Sequence, residues 1–381
     1  MAESLPPATA PAREWAPRIW QGFDFFAWVR LLLRNRFAVH PRYVHIAIII
    51  TFVSLIHTVL RLIQDAWLAG KADRLRPRSG PVFIIGHWRT GTTLLHELLI
   101  LDPRHTFPTT YQCLAPHNFL LTEPFFTRMF AWILPSRRPM DNMPAGWDRP
   151  QEDEFALCML GQPSPYLTIA FPNHPPQDQK AFDLTGLPPK AQASWKRAFL
   201  GFLGRLTLHD PRRLVLKSPT HSCRIPTLFE LFPDARFVHI VRDPYTVFPS
   251  TVNLWKTLYE THGLQTPTCA GLEEYVLSTY VHLYGRIEEG KKILPPGHFH
   301  EVRYEDLLAD PEGELRRMYE RLELGDFEAA RPHVRRYLSE QADYRTNRYK
   351  PLPPAQEAEV TRRWGEVIRR YGYERRQAVR A

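Results

Sequence analysis

Four groups of residues in this chain are of types that do chemistry on anions. Arg89 lies in GHWRTGTT (Gly86 to Thr93), beside Thr90, Gly91, Thr92 and Thr93. Lys217 closes RLVLK and is followed by Ser218 and Pro219, and Arg242 opens an R-D-P run eight residues before Ser250. Glu152 and Glu154 stand in RPQEDEF. Arginine grips phosphate through a planar fork of donors, and hydroxyls add to the grip. A lysine aimed at a leaving oxygen stabilises charge that appears there. A carboxylate can take the proton of an attacking hydroxyl. The spacing of Glu152 and Glu154, two apart, puts them on different faces of a helix, so at most one of them faces a substrate.

The elements that must hold these groups read as follows. Val82 to Ile85 is an apolar run, the pattern of a strand buried on both faces. Leu94, Leu95, Leu98 and Leu99 then return at helical spacing. Strand, glycine-bearing loop and helix together present N–H groups and a positive helix end to an anion, which makes Gly86 to Thr93 a phosphate cradle. The pattern G-x-x-x-x-G-K-[ST] of nucleotide triphosphatases requires lysine where Thr92 stands. Arg213 to Lys217 is a short strand with its lysine at the end where α/β folds place ligands. A helix from Pro226 to Leu231 and a strand from Phe237 to Val241 lead to Arg242. Asp243 and Pro244 open the next helix, which Pro249 is expected to kink just before Ser250. A helix also starts near Pro150, with the acids behind it. A further strand, His298 to Val302, leads into RYEDLLADP. Strands alternating with helices imply an α/β fold, a parallel sheet flanked by helices.

The loop GHWRTGTT resembles the 5′-phosphosulfate loop of sulfotransferases, P-[RK]-[ST]-G-T-T, with Trp88 in the place of the proline. R-D-P-x-x-x-x-x-S resembles their 3′-phosphate motif, although Leu254 stands where the tyrosylprotein enzymes have a further arginine. Lys217-Ser218-Pro219 resembles the K-[DS]-P context of a catalytic lysine, and Tyr304 falls in a Y-E-D-L segment that lies against the nucleotide. The resemblance spans about residues 80 to 372. It implies the P-loop-like sulfotransferase fold and 3′-phosphoadenosine-5′-phosphosulfate (PAPS) as sulfuryl donor, with no metal. Arg89, Thr90, Gly91, Thr92, Thr93, Arg242, Ser250 and Tyr304 would hold the donor. Arg345, Arg348 and Lys350 in the basic tail would close over its phosphates. Arg89 and Lys217 would stabilise the transition state, with Glu152 or Glu154 as base, because Gln112 stands near the place of the family's glutamate and an amide cannot do that work. The acceptor is a hydroxyl on a carbohydrate, lipid, peptide or small molecule. A P-loop kinase or nucleotide hydrolase shares the opening loop but needs the lysine absent at position 92, and a nucleotide-binding relative without activity also stays open.

Composition narrows the surroundings. The 381 residues carry a net charge of +9, which suits an anionic partner, yet no basic stripe interleaved with aromatics marks a nucleic-acid surface. Four cysteines (Cys113, Cys158, Cys223, Cys269) form no C-x-x-C pair, as expected for a reducing, cytoplasmic setting. Residues 1–18 are rich in alanine and proline and read as a disordered start without a signal-peptide pattern. Residues 19–78 read as a helical extension and 79–381 as the catalytic domain. Tyr43 to Leu60 contains no Lys, Arg, Asp or Glu, the bare minimum for a membrane span. Thr51, Ser54, His57, Arg61, Gln64 and Asp65 fall along one side of it, however, and basic residues flank both ends. The expectation is an amphipathic helix packed on the domain rather than a span, with residues 43–69 as a peripheral membrane contact or dimerising face the alternative.

Overall fold

The computed structural model describes residues 18–130, 146–341 and 351–374. Among them is a sheet of five strands: β1 (Val82–Ile85), β2 (His105–Thr106), β3 (Arg213–Lys217), β4 (Arg236–Val241) and β5 (Phe299–Arg303). Their order is β2-β3-β1-β4-β5 and every pairing is parallel. The chain leaves β1 towards β2 on one side and later crosses over β1 from β3 to β4. The crevice beyond the C-terminal end of β1 is therefore the switch point where such sheets take ligands.

Alternate residues of each strand supply opposite faces of the sheet. Phe83 and Ile85 of β1 join Leu214, Leu216 and Phe237 under helices Pro189–His209 and Ile225–Leu231. Val82 and Ile84 join Val215, Val238 and Ile240 under Thr92–Leu99 and Pro311–Leu322. A third cluster gathers Trp88 and Val241 with aromatics of Pro244–His262 and Leu272–Lys291. Trp20, Phe23, Trp28 and Ile50 from the N-terminal helices belong to that same cluster, so they share their core with the sheet-bearing part.

Asp243 and Pro244 open helix Pro244–His262 as expected, Asp243 capping it by accepting the Tyr245 N–H, and Pro249 lies within it. Other local expectations are corrected. Pro150 lies outside the helix it was expected to open. It bridges to Thr109, and the helix runs over Asp153–Met159 with Glu152 at its N-cap. The apolar segment after Tyr43 is a helix longer than the charge-free stretch, Val44–Leu68. Its polar stripe faces inward: Ser54 and Gln64 are both 0% exposed.

Candidate active site

The loop after β1 is held open by its own backbone. Gly86 has φ 145°, and a Cβ there would come within 2.7 Å of the Ile240 carbonyl oxygen. Gly91 has φ 103°, and a Cβ there would strike the Tyr304 ring at 2.3 Å. Arg89 itself adopts φ 69°, a left-handed conformation uncommon outside glycine. The Gly86 N–H donates to Ser222 Oγ at 2.9 Å and Thr90 Oγ1 donates to the His87 carbonyl at 2.8 Å. The helix that follows, Thr92–Leu99, has no side-chain cap at Gly91. Its first N–H groups therefore lack intrahelical partners, the condition that a helix N-terminus offers to an anion.

Arg89, Ser250 and Arg242 come from three elements and meet here. Arg89 Nε donates to Ser250 Oγ at 2.9 Å, and Arg242 Nη1 donates to the Arg89 carbonyl at 3.1 Å. The Arg242 guanidinium lies 4.2 Å from the centroid of the Tyr304 ring, which also abuts Gly91. Two guanidinium groups, a hydroxyl and an aromatic plane beside a glycine loop fit a phosphorylated nucleotide.

Lys217 ends β3 on the other side of β1 and is almost fully buried. Its Nζ donates to Glu152 Oε1 at 2.8 Å, while Tyr166 Oη donates to Glu152 Oε2 at 2.5 Å. Trp88 Nε1 in turn donates to Tyr166 Oη at 2.9 Å. Burial, reinforced by the Glu152 charge, pushes the Tyr166 phenol well above its ordinary pKa, so it remains a donor. Each oxygen of the Glu152 carboxylate thus accepts one bond and keeps a lone pair for another. Near Lys217, burial and the lysine's charge hold His96 down to about 3, so this ring is neutral and adds no competing cation.

The profile of the sulfotransferase family matches residues 81–328. The chain is 52% identical over 363 residues to the omega-hydroxy-beta-dihydromenaquinone-9 sulfotransferase Stf3 of Mycobacterium bovis, covering 95% of this chain and 93% of that one. The Stf3 of Mycobacterium tuberculosis matches with the same figures. This chain belongs to the sulfotransferase family. It moves a sulfuryl group from PAPS to an acceptor hydroxyl. The fold agrees with two solved sulfotransferases. STF1 of Mycobacterium tuberculosis H37Rv superposes with TM-score 0.63 at 19% identity, covering 90% of this chain and 92% of that chain. STF9 of Mycobacterium avium superposes with 0.60 at 20% identity, covering 82% and 81%.

Within this sulfotransferase the two candidate glutamates have separate surroundings. Glu154 is 0% exposed and pairs with Arg224, while accepting from Ser164 Oγ at 2.5 Å and Thr220 Oγ1 at 2.8 Å. Burial pushes its pKa up, but Arg224 and the hydrogen bonds outweigh that and hold the carboxyl below its ordinary range. Both oxygens of this carboxylate are thus engaged inside the protein, whereas the Glu152 side chain is 13% exposed. Gln112 is equally committed, forming a capping box with Thr109 and donating to Glu123 Oε2 at 3.0 Å. Leu254 is buried in the aromatic cluster. Arg345, Arg348 and Lys350 lie outside the described residues. Tyr166 belongs to no motif of the sequence and reaches this group only through its bonds to Glu152 and Trp88. Trp88 stands in sequence only where the family's loop has proline. Two hydrogen-bonding aromatics with no motif spacing left no signal to find.

Proposed function

We propose that this sulfotransferase sulfates the terminal hydroxyl of a prenyl-chain quinone lipid. The observation that carries this reading is the 52% identity over 95% of the chain to enzymes named for an omega-hydroxylated dihydromenaquinone. PAPS supplies the sulfuryl group and leaves as 3′-phosphoadenosine-5′-phosphate: the sulfur–bridging oxygen bond breaks, the sulfur–acceptor oxygen bond forms, and the acceptor loses its proton. In our reading Glu152 takes that proton on a free lone pair, and Tyr166 keeps the carboxylate oriented. Lys217 and Arg89 meet charge at the leaving oxygen, with the N–H groups of Thr92 and Thr93. Arg242 and Ser250 hold the 3′-phosphate, with Arg242 seated on Tyr304. The decisive assay offers labelled PAPS with an omega-hydroxylated menaquinone, a sugar and a tyrosine peptide in separate reactions. Label should enter the lipid at the highest kcat/KM, and a faster sugar or peptide would rule the lipid reading out.

Arg242 provides a second test. The 3′-phosphate lies at the end of the nucleotide remote from sulfur, so its contact is the same in ground and transition states. Arg242→Ala is expected to raise the KM for PAPS roughly ten- to a hundredfold, from loss of a charge-assisted bond worth about 1.5–3 kcal/mol, while kcat stays within a few-fold. Steady-state kinetics with varied PAPS gives the answer. A fall in kcat at unchanged KM would place Arg242 at the reacting end instead.

A further inference from the structure

The Val44–Leu68 helix is turned opposite to a helix of an ordinary water-soluble protein. Its polar side chains bind the protein body. Thr51 Oγ1 accepts from Trp28 Nε1 at 2.8 Å, Thr58 Oγ1 accepts from the Phe25 N–H at 2.9 Å, and Gln64 Nε2 donates to the His117 carbonyl at 2.7 Å. His57 Nδ1 lies 2.7 Å from Asn118 Nδ2, and Asp65 lies 3.8 Å from Arg205. Ile46, Ile50 and Leu68 pack inward with them, but most of its apolar side chains point to solvent: Ile48, Phe52, Leu55, Val59, Leu62 and Trp67 are each 45–66% exposed. Two helices packed against it, Phe25–Arg34 and Phe119–Met129, add exposed Phe26 and Phe125. Scattered exposed hydrophobics are normal on a protein surface, but a continuous run over a helix about 37 Å long marks a contact face.

Two features identify what covers it. The helix is long and apolar enough to cross a membrane by length and composition. Crossing would tear Thr51, Thr58, Gln64 and Asp65 from their partners, so the geometry allows it to lie along a surface only. The second feature is charge. Residues 18–80 hold ten Arg and Lys against three Asp, most of the net charge of the whole chain. Exposed basic residues stand at both ends of the helix, Arg36 and Arg42 before it and Lys71, Arg74 and Arg76 after it. A second copy pairing through this face, parallel or antiparallel, would set cations against cations. An anionic bilayer meets both ends with opposite charge.

We propose that this face lies flat on an anionic membrane, with the apolar stripe sunk into the boundary between headgroups and acyl chains, Trp67 at that boundary, and the basic ends on lipid phosphates. The contact is monotopic. It stands on the helix and its flanks and not on the identity of the acceptor, so it can fail while the lipid reading holds, and the reverse.

The test is co-sedimentation of the full chain with vesicles of phosphatidylcholine alone or with phosphatidylglycerol, plus sedimentation velocity without lipid. The protein should bind the anionic vesicles, more weakly as salt rises. Phe52→Glu with Val59→Glu should weaken that binding by roughly tenfold or more, since both side chains leave the apolar stripe. Lys71→Glu with Arg74→Glu should weaken it only for the phosphatidylglycerol vesicles. All variants should keep the thermal stabilisation by 3′-phosphoadenosine-5′-phosphate, which shows that they fold. Absence of vesicle binding by the unmodified chain overturns the proposal. So does equal binding by the Phe52→Glu, Val59→Glu chain, or a lipid-free dimer that those substitutions dissolve.

Discussion

Replacing Lys217 by alanine is expected to lower kcat by roughly 10²–10³-fold, the loss typical of one donor to a developing oxyanion. The KM for PAPS should move far less. The ammonium is proposed to meet charge on the bridging oxygen that grows as the sulfur–oxygen bond breaks, so its contribution differs between ground and transition states. Its setting supports that role. Lys217 is nearly buried at the tip of β3, beside the switch point, and Glu152 fixes the direction of its side chain. A buried charge in low dielectric acts more strongly than the same charge in water. Steady-state kinetics with varied PAPS at saturating acceptor separates the two parameters. If Lys217→Ala keeps the kcat of the unmodified enzyme, the lysine serves the fold alone and the assignment fails. Lys217→Arg is the informative companion: it keeps the charge but not the compact ammonium, so recovery should be partial.

The contrast between what was and was not legible in the chain follows sequence distance. The strand Val82–Ile85 and the glycine loop after it are encoded within twenty residues and the strand forms as its apolar run implies, whereas Arg242 and Ser250, eight residues apart, are joined through Arg89 from a distant part of the chain. The neighbours of Glu152 are not local. Its bond to Lys217 joins residues 65 apart, and the choice between Glu152 and Glu154 turns on Arg224, 70 residues from Glu154. The two-residue spacing required that the glutamates diverge, but only the tertiary partners decide which one is sealed. The Val44–Leu68 helix shows a further limit. Periodicity reveals that a helix has two faces; which of them packs inward depends on partners elsewhere in the chain. Trp28, His117 and Asn118 supply the polar partners that turn this one round, and none of them lies within the helix.

Glu152→Gln and Glu154→Gln, the same change two positions apart, should produce different defects. At Glu152 the amide can still accept one bond from Lys217 or Tyr166, but it cannot take a proton. The kcat per folded molecule is expected to fall by roughly 10²–10⁴-fold, the span of a lost general base. Some stability goes with it, because Lys217 loses its carboxylate, so activity must be referred to the folded fraction. At Glu154 the loss leaves the Arg224 charge buried without its counter-ion, held by the Ala181 and Phe182 carbonyls and stacked 4.8 Å over Trp195. Breaking a buried pair in this way costs about 3–5 kcal/mol. The urea midpoint should drop accordingly, while kcat of the folded protein stays within a few-fold. The pH dependence gives an independent reading. Glu154 titrates below its ordinary value when folded, so the unfolded chain takes up the proton first as pH falls. Its stabilisation is therefore complete above the unfolded carboxylate pKa and disappears as pH drops through the folded one. Glu154→Gln should remove that part of the acid sensitivity. Urea titrations of the two variants from neutral pH down to about pH 2, alongside their kinetics, decide the matter. A Glu154→Gln enzyme that is stable but inactive would exchange the two roles and make the buried carboxylate the base.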